Sequence, residues 1–216
     1  MSATLGTTSK DNSALFYLDN DSDQPIAVQV SLAKREMTLE GVELNSKTSG
    51  EFILYPSQLI IPASEKRSVK VTWTGKEVPS KELAYRLISE QLPIDLEKNK
   101  TKKASIKILL RYVAALYVGQ EDFASAISVD EIKTADKKVL IQVINSGKKH
   151  QVLTNLNLKF INEKSKKEIL LRGEDLKGMS GENVLAESKR LFSFSQAGKF
   201  LEVSSGDKVK VSFDKE

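Results

Sequence analysis

Apolar and polar positions alternate with a period of two along most of the chain. Ile26, Val28, Val30 and Leu32 alternate with Ala27, Gln29 and Ser31; Val69, Val71 and Trp73 with Ser68, Lys70 and Thr72; Val209, Val211 and Phe213 with Lys208, Lys210 and Ser212. Successive side chains of a strand point to opposite faces, so each run predicts a half-buried strand. Turn signals separate the runs: residues 19–25 (Asp-Asn-Asp-Ser-Asp-Gln-Pro), Glu40-Gly41, Ser49-Gly50, Thr74-Gly75-Lys76, Asn145-Ser146-Gly147 and Ser205-Gly206-Asp207. Short strands broken by a turn about every ten residues predict an all-β sandwich architecture. Long patterns of helical period are almost absent, and one short helix is expected around Pro79 to Leu83. The longest apolar strand, 106–118, runs into Gly119-Gln120-Glu121-Asp122, after which the pattern restarts over 126–132, 139–144 and 152–161. Two β-sandwich domains are therefore expected, 1–119 and 123–216, joined by a short, stiff connector. Residues 174–180, flanked by Gly173 and Gly181, read as a long loop on the second.

With 216 residues, 40% of them hydrophobic, the chain can bury one large core or two smaller ones without disulfides. The absence of cysteine removes thiolate nucleophiles, iron–sulfur clusters and cysteine zinc sites. The single histidine, His150, cannot build a histidine cage, and its setting in Ser146-Gly147-Lys148-Lys149-His150 reads as a solvated turn. There is no glycine-rich phosphate loop, no metal-ligand spacing and no nucleophile–base pair. Glu174 and Asp175 lie in a loop with no partner to perturb them. No catalytic residue, cofactor or metal is expected, and an enzyme is the poorest of the competing readings. The net charge of +4 comes from lysines interleaved with acidic residues, and only 98–103 forms a cationic run, read as a solvated loop. A nucleic-acid partner is not expected. No stretch approaches the ~20 apolar residues of a membrane span, so no membrane insertion is expected. The first twenty residues lack the basic head and apolar middle of an export signal. Either the protein is cytoplasmic or the numbering starts after a removed segment.

One ordered series of features points to a family. Phe52-Ile-Leu-Tyr-Pro-Ser-Gln-Leu-Ile-Ile-Pro62 is followed by Arg67-Ser-Val-Lys-Val-Thr-Trp73, then by Pro79-Ser-Lys-Glu-Leu-Ala-Tyr-Arg-Leu-Ile-Ser-Glu-Gln-Leu-Pro93. A lysine-rich loop and Ile106-Lys-Ile-Leu-Leu-Arg-Tyr-Val-Ala-Ala-Leu-Tyr-Val118 complete it. This series resembles the PapD-like periplasmic pilus-assembly chaperones of the chaperone–usher pathway, closest to their archaic or alternative branches. It covers about two thirds of the first domain well, 14–44 more loosely, and the second domain by strand pattern alone. The resemblance implies two immunoglobulin-like domains in an L or boomerang arrangement. It also implies a mechanism: pilus subunits lack their last strand, expose an apolar groove flanked by unpaired backbone groups, and aggregate alone. The chaperone lends an edge strand that satisfies those groups and fills the groove with alternate side chains.

On the resemblance, the lent strand is 105–113 and the subunit-facing set is Ile106, Ile108, Leu110 and Tyr112, with Lys107, Leu109 and Arg111 opposite. Burying three such aliphatics is worth roughly 5–8 kcal/mol in gross transfer terms. On the residues alone, the same side chains simply fill this domain's own core. An alignment from the Leu116-Tyr117 end shifts the facing set by one residue and exchanges the two faces. Family members usually carry an arginine in the first strand and a lysine late in the lent strand, which hold the subunit's terminal carboxylate. The matching positions here fall near Ala3 and Ala114, neither basic, which would forfeit charge-assisted bonds of about 1.5–3 kcal/mol each. Arg111 is the candidate replacement anchor. Glu82 matches an acidic position that fixes the angle between domains in the family, but Val118 stands where a basic partner is usual. Glu82 is thus either an interdomain residue or a solvated one. Tyr55-Pro56 reads as a special turn, with a cis bond open as an alternative, and Trp73 as a packing residue. The first strand reads as cut short and Met1 as an engineered or mis-assigned start, so the resemblance implies the periplasm. The implied partners are pilus or fimbrial subunits and an outer-membrane usher, with weak self-association through the exposed edge strand. The competing reading is a two-domain immunoglobulin-like adhesion or scaffold module that lends no strand.

Overall fold

The computed structural model describes residues 2–8, 10–93, 108–162 and 165–214. Strands run in the order β1 (Ser2–Leu5), β2 (Ser13–Asp19), β3 (Ile26–Met37), β4 (Glu43–Lys47), β5 (Phe52–Tyr55), β6 (Gln58–Ile61), β7 (Lys66–Trp73), β8 (Leu83–Gln91) and β9 (Arg111–Val118). They continue with β10 (Ile127–Ala135), β11 (Lys138–Asn145), β12 (Gln151–Val152), β13 (Leu156–Ile161), β14 (Glu168–Arg172), β15 (Asn183–Val184), β16 (Ser188–Ser195) and β17 (Lys208–Phe213). Among the described residues the helical content is two short 3-10 turns, Gly173–Leu176 and Gly198–Glu202. The period-two runs have become strands because their alternate residues meet a core: Val28, Val30, Val69, Val71 and Trp73 are all buried.

The chain divides into two compact units. The first comprises Met1–Glu36, Asn45–Pro79 and Leu83–Glu121; the second comprises Met37–Leu44, Ser80–Glu82 and Asp122–Glu216. In the first, a sheet ordered β1-β9-β8-β3-β4, with β6 pairing β3, faces a second sheet ordered β2-β7-β5. Between them lie Leu5, Phe16, Ile61, Leu87, Leu116 and Val118, with Phe52, Trp73 and Tyr85 in edge-to-face and tilted contact at 4.8–6.2 Å between centroids. In the second, sheets ordered β10-β11-β16 and β14-β13-β17, with the short pair β12-β15, enclose Val139, Ile141, Leu158, Phe160, Leu171 and Phe192. Both units are immunoglobulin-like sandwiches.

Each sandwich turns the same corner on a buried asparagine. At the end of β2, Asn20 Nδ2 donates to the carbonyls of Gln24, Ile61 and Pro62, while its Oδ1 accepts from Ser22 N. At the end of β11, Asn145 Nδ2 donates to Lys149, Val184 and Leu185, while its Oδ1 accepts from Gly147 N and Ala126 N. In both, the side chain closes an Asx turn two residues on, bonds the carbonyl four residues on, and reaches a distant strand end.

Two sequence expectations change here. Residues 79–83 form a bend rather than a helix, with β8 starting at Leu83. Their backbone is claimed elsewhere, since Glu82 N donates to Lys148 O at 2.8 Å. Residues 174–180 are not a free loop: the 3-10 turn brings Leu176 and Met179 into the second core, both essentially inaccessible. Tyr55-Pro56 is cis, and Trp73 packs inside. The tip of the β3–β4 turn needs glycine. Gly41 has φ +89°, and a Cβ there would overlap the Arg190 guanidinium, which is itself buried on Glu182 and the carbonyl of Asn183.

Candidate functional site

The strand that matters is β9. Its C-terminal half is interior: Leu116, Tyr117 and Val118 are buried, and Ser2 to Leu5 of β1 run parallel beside Ala115 to Val118. On its other side β9 pairs antiparallel with β8 without a break, from Leu83 opposite Val118 to Glu90 opposite Arg111, and Gln91 N extends the ladder by donating to Leu110 O at 2.9 Å. Among the described residues, no strand pairs with the β1-side edge of β9 before Ala115. That edge leaves backbone groups available to a further strand.

The unbroken register fixes the faces. Leu116 and Val118 point into the first core and Ala114 packs against it. Within β9 the same face continues, two residues on, to Tyr112. Tyr112 and, ahead of the strand, Leu110 and Ile108 are exposed, at 66%, 50% and 76% respectively. Within the strand, Tyr112 therefore lies on the host-core side, and Arg111 and Val113 lie opposite. Ile106, the remaining member of the set, lies outside the described residues, as does the cationic run 98–103. The regular strand begins at Arg111 rather than at 106, so the exposed stretch 108–110 stands free of strand geometry while keeping one bond to β8. These residues do not fill their own domain's core.

Arg111 shares its face with Arg86, which lies opposite Ala115, and with the buried pair Arg35 and Tyr117, where Arg35 Nη1 donates to Tyr117 Oη at 3.3 Å. Arg111 itself donates to Glu90 Oε1 at 2.7 Å, with both side chains about half exposed. An exposed pair of this kind is worth at most about 1 kcal/mol. Glu82 is not solvated: its side chain is buried and accepts from His150, which is correspondingly no solvated turn residue. The spacing between residues 82 and 150 hid this pair from the sequence. A second exposed apolar surface was also missed, on the outer face of the β2-β7-β5 sheet. There Lys70 lies between Leu15 and Tyr55, with Tyr17 and Ile53 alongside.

The chain is thus an all-β, immunoglobulin-like protein with an exposed apolar segment at one sheet edge. Residues 2–118 match the family model of the pili and flagellar-assembly chaperones, PapD N-terminal domain, and the chain belongs to that family. No curated protein matches the sequence closely enough to count. Among solved structures, the chain is similar to the CsuC–CsuE chaperone–tip adhesion subunit pre-assembly complex from archaic chaperone–usher Csu pili of Acinetobacter baumannii. The TM-score is 0.62 at 15% identity, over 96% of this chain and 93% of that one. It is similar also to the class 5 fimbriae chaperone CfaA (TM-score 0.60, 15% identity, 100% and 96% covered). A chaperone–tip adhesin complex of CFA/I fimbriae biogenesis matches with a TM-score of 0.59 at 17% identity, over 98% and 94% of the two chains.

Proposed function

We propose that this chaperone works in the periplasm, capping pilus or fimbrial subunits by donor-strand complementation and delivering them to an outer-membrane usher. The observation that carries the reading is the continuous β8–β9 register that leads out of the host core into an exposed, apolar edge. Ile108, Leu110 and Tyr112 fill the subunit groove, with Ile106 continuing the set, and the free edge supplies main-chain hydrogen bonds to the subunit. Arg111 is the proposed anchor for a terminal carboxylate; its weak bond to Glu90 is readily exchanged for a charge-assisted one. The domains are taken as 1–119 and 123–216, a division supported by the family model ending at residue 118. The likeness to the Csu complex supports the archaic branch. Family membership disfavours the adhesion or scaffold module that lends no strand, and also favours a chaperone over an enzyme.

The test is periplasmic co-expression with a pilus subunit, followed by pull-down of wild type, Ile108→Asp and Leu109→Asp. A carboxylate buried in an apolar groove costs several kcal/mol, so Ile108→Asp should fold and recover at least roughly tenfold less soluble subunit. Leu109→Asp, on the opposite face, should recover nearly as much as wild type. Equal recovery by Ile108→Asp and wild type would overturn the donor face; no recovery by any of the three would favour the module without strand donation.

A further inference from the structure

Ser80–Glu82 groups with the second unit, although β8, which follows it directly, belongs to the first. Residues 146–150 hold it there. Glu82 N donates to Lys148 O at 2.8 Å, and Glu82 Oε1 accepts from His150 N at 3.0 Å while lying 2.5 Å from His150 Nδ1. Lys81 pairs with Glu187 at 3.2 Å, and Glu187 N donates to Gly147 O. The loop is itself fixed, because a Cβ on Gly147 would run into the backbone of residues 124–126. One carboxylate oxygen therefore receives both the ring and the backbone of a single residue, in a place where the Glu82 side chain is 3% exposed and the imidazole 17%.

A buried carboxylate is costly unless it is paired. A neutral imidazole offers it a hydrogen bond; an imidazolium offers a hydrogen bond with opposite charge, roughly twice as strong. The chain has one histidine and no cysteine, so His150 is its one side chain of a type that ordinarily changes charge between pH 5 and 8. The other charged residues of the segments gathered here are Lys148 and Lys149 on the same loop, Lys81 with its partner Glu187, and Glu121 and Asp122 at the connector. Lys148 Nζ is turned over the Phe123 ring, 5.7 Å from its centroid. Glu82 Oε1 is in direct contact with the imidazole.

We propose that Glu82 and His150 form a proton-responsive clasp that holds Ser80–Glu82 to residues 146–150, tight while the imidazole is charged and looser once it is neutral. The clasp strengthens as pH falls through the imidazole range and weakens as pH rises through it. It needs no bound subunit, so it stands or falls separately from strand donation.

Amide hydrogen exchange on the free protein between pH 8 and 5.5, corrected for intrinsic rates, tests it together with NMR titration of the single imidazole. Protection at Glu82 and His150 should rise toward acid by at least about fivefold, the factor for roughly 1 kcal/mol, in step with the imidazole resonances. His150→Gln keeps a donor but cannot titrate, and its protection should be flat with pH. A flat wild-type profile, or a rise out of step with the imidazole, would overturn the clasp without any variant. The same rise in His150→Gln would assign the effect to another group and overturn it as well.

Discussion

Asn145 makes five hydrogen bonds from a position with no solvent access. Replacing it with leucine would keep the volume and strand three carbonyls and two amides, so Asn145→Leu should destabilise the second unit by about 3 kcal/mol or more, read from the urea midpoint. An unchanged midpoint would mean that water takes over those bonds. The sequence showed both asparagine corners only as turn signals. What it lacked was the far side of each bond, Ile61 and Pro62 in one case and Val184 and Leu185 in the other, because those partners are set by tertiary packing. The buried Tyr85 phenol was equally unreadable: burial, followed by the neighbouring Glu51 carboxyl, pushes its pKa well up. Asp175 was read as partnerless, yet it accepts from Lys199 Nζ at 2.7 Å and from Arg172 N, and the Lys199 bond foremost holds its carboxyl below the usual range. A depressed carboxylate pKa contributes stability that is present above the unfolded value and lost as pH falls through the folded one. Lys199→Met should therefore move the Asp175 titration, followed by carboxyl NMR, up toward the usual carboxylate range and soften the loss of stability on acidification. An unmoved titration would remove Lys199 as the cause.

At the level of elements, the turn between β3 and β4 depends on a glycine whose backbone and neighbour both exclude a side chain. Gly41→Ala should cost at least about 1 kcal/mol, because alanine is strained at that φ and must also displace a buried guanidinium. A midpoint equal to wild type would show that Arg190 moves aside freely. The strand periods were legible at 26–32, 69–73 and 139–144 because alternate residues there face a core. Three places broke that link. Residues 106–118 read as one strand because their apolar run is nearly continuous, yet β9 starts at Arg111: over 108–110 the side chains are exposed among the described residues. Residues 79–83 carry a proline and polar start that suit a short helix, and a nonlocal backbone bond to Lys148 draws them into a bend instead. Residues 174–180 look like a loop from their glycines and charges, while Leu176 at the end of the 3-10 turn and Met179, whose N donates to Leu176 O just beyond it, are both buried.

For the molecule as a whole, the exposed run from Ile108 to Val113 is a liability in the absence of a partner, since an apolar edge pairs with whatever strand it meets. Weak self-association is the expected consequence: size-exclusion chromatography with light scattering should show a dimer fraction that grows with concentration and shrinks in Ile108→Asp. Monomer alone at every concentration would sink the expectation. The unbroken β8–β9 ladder has one more outcome. On the proposed donor reading, an edge that joins the guest as a strand continues β9 and shares its phase: whatever sets Leu116 and Val118 indoors then also sets Tyr112, Leu110 and Ile108 toward the guest. Inserting one residue between them would leave the host intact and present the guest with the wrong side chains. Inserting two would slide the edge along without turning it over. Length variation in this stretch should therefore be tolerated in even steps and rejected in odd ones.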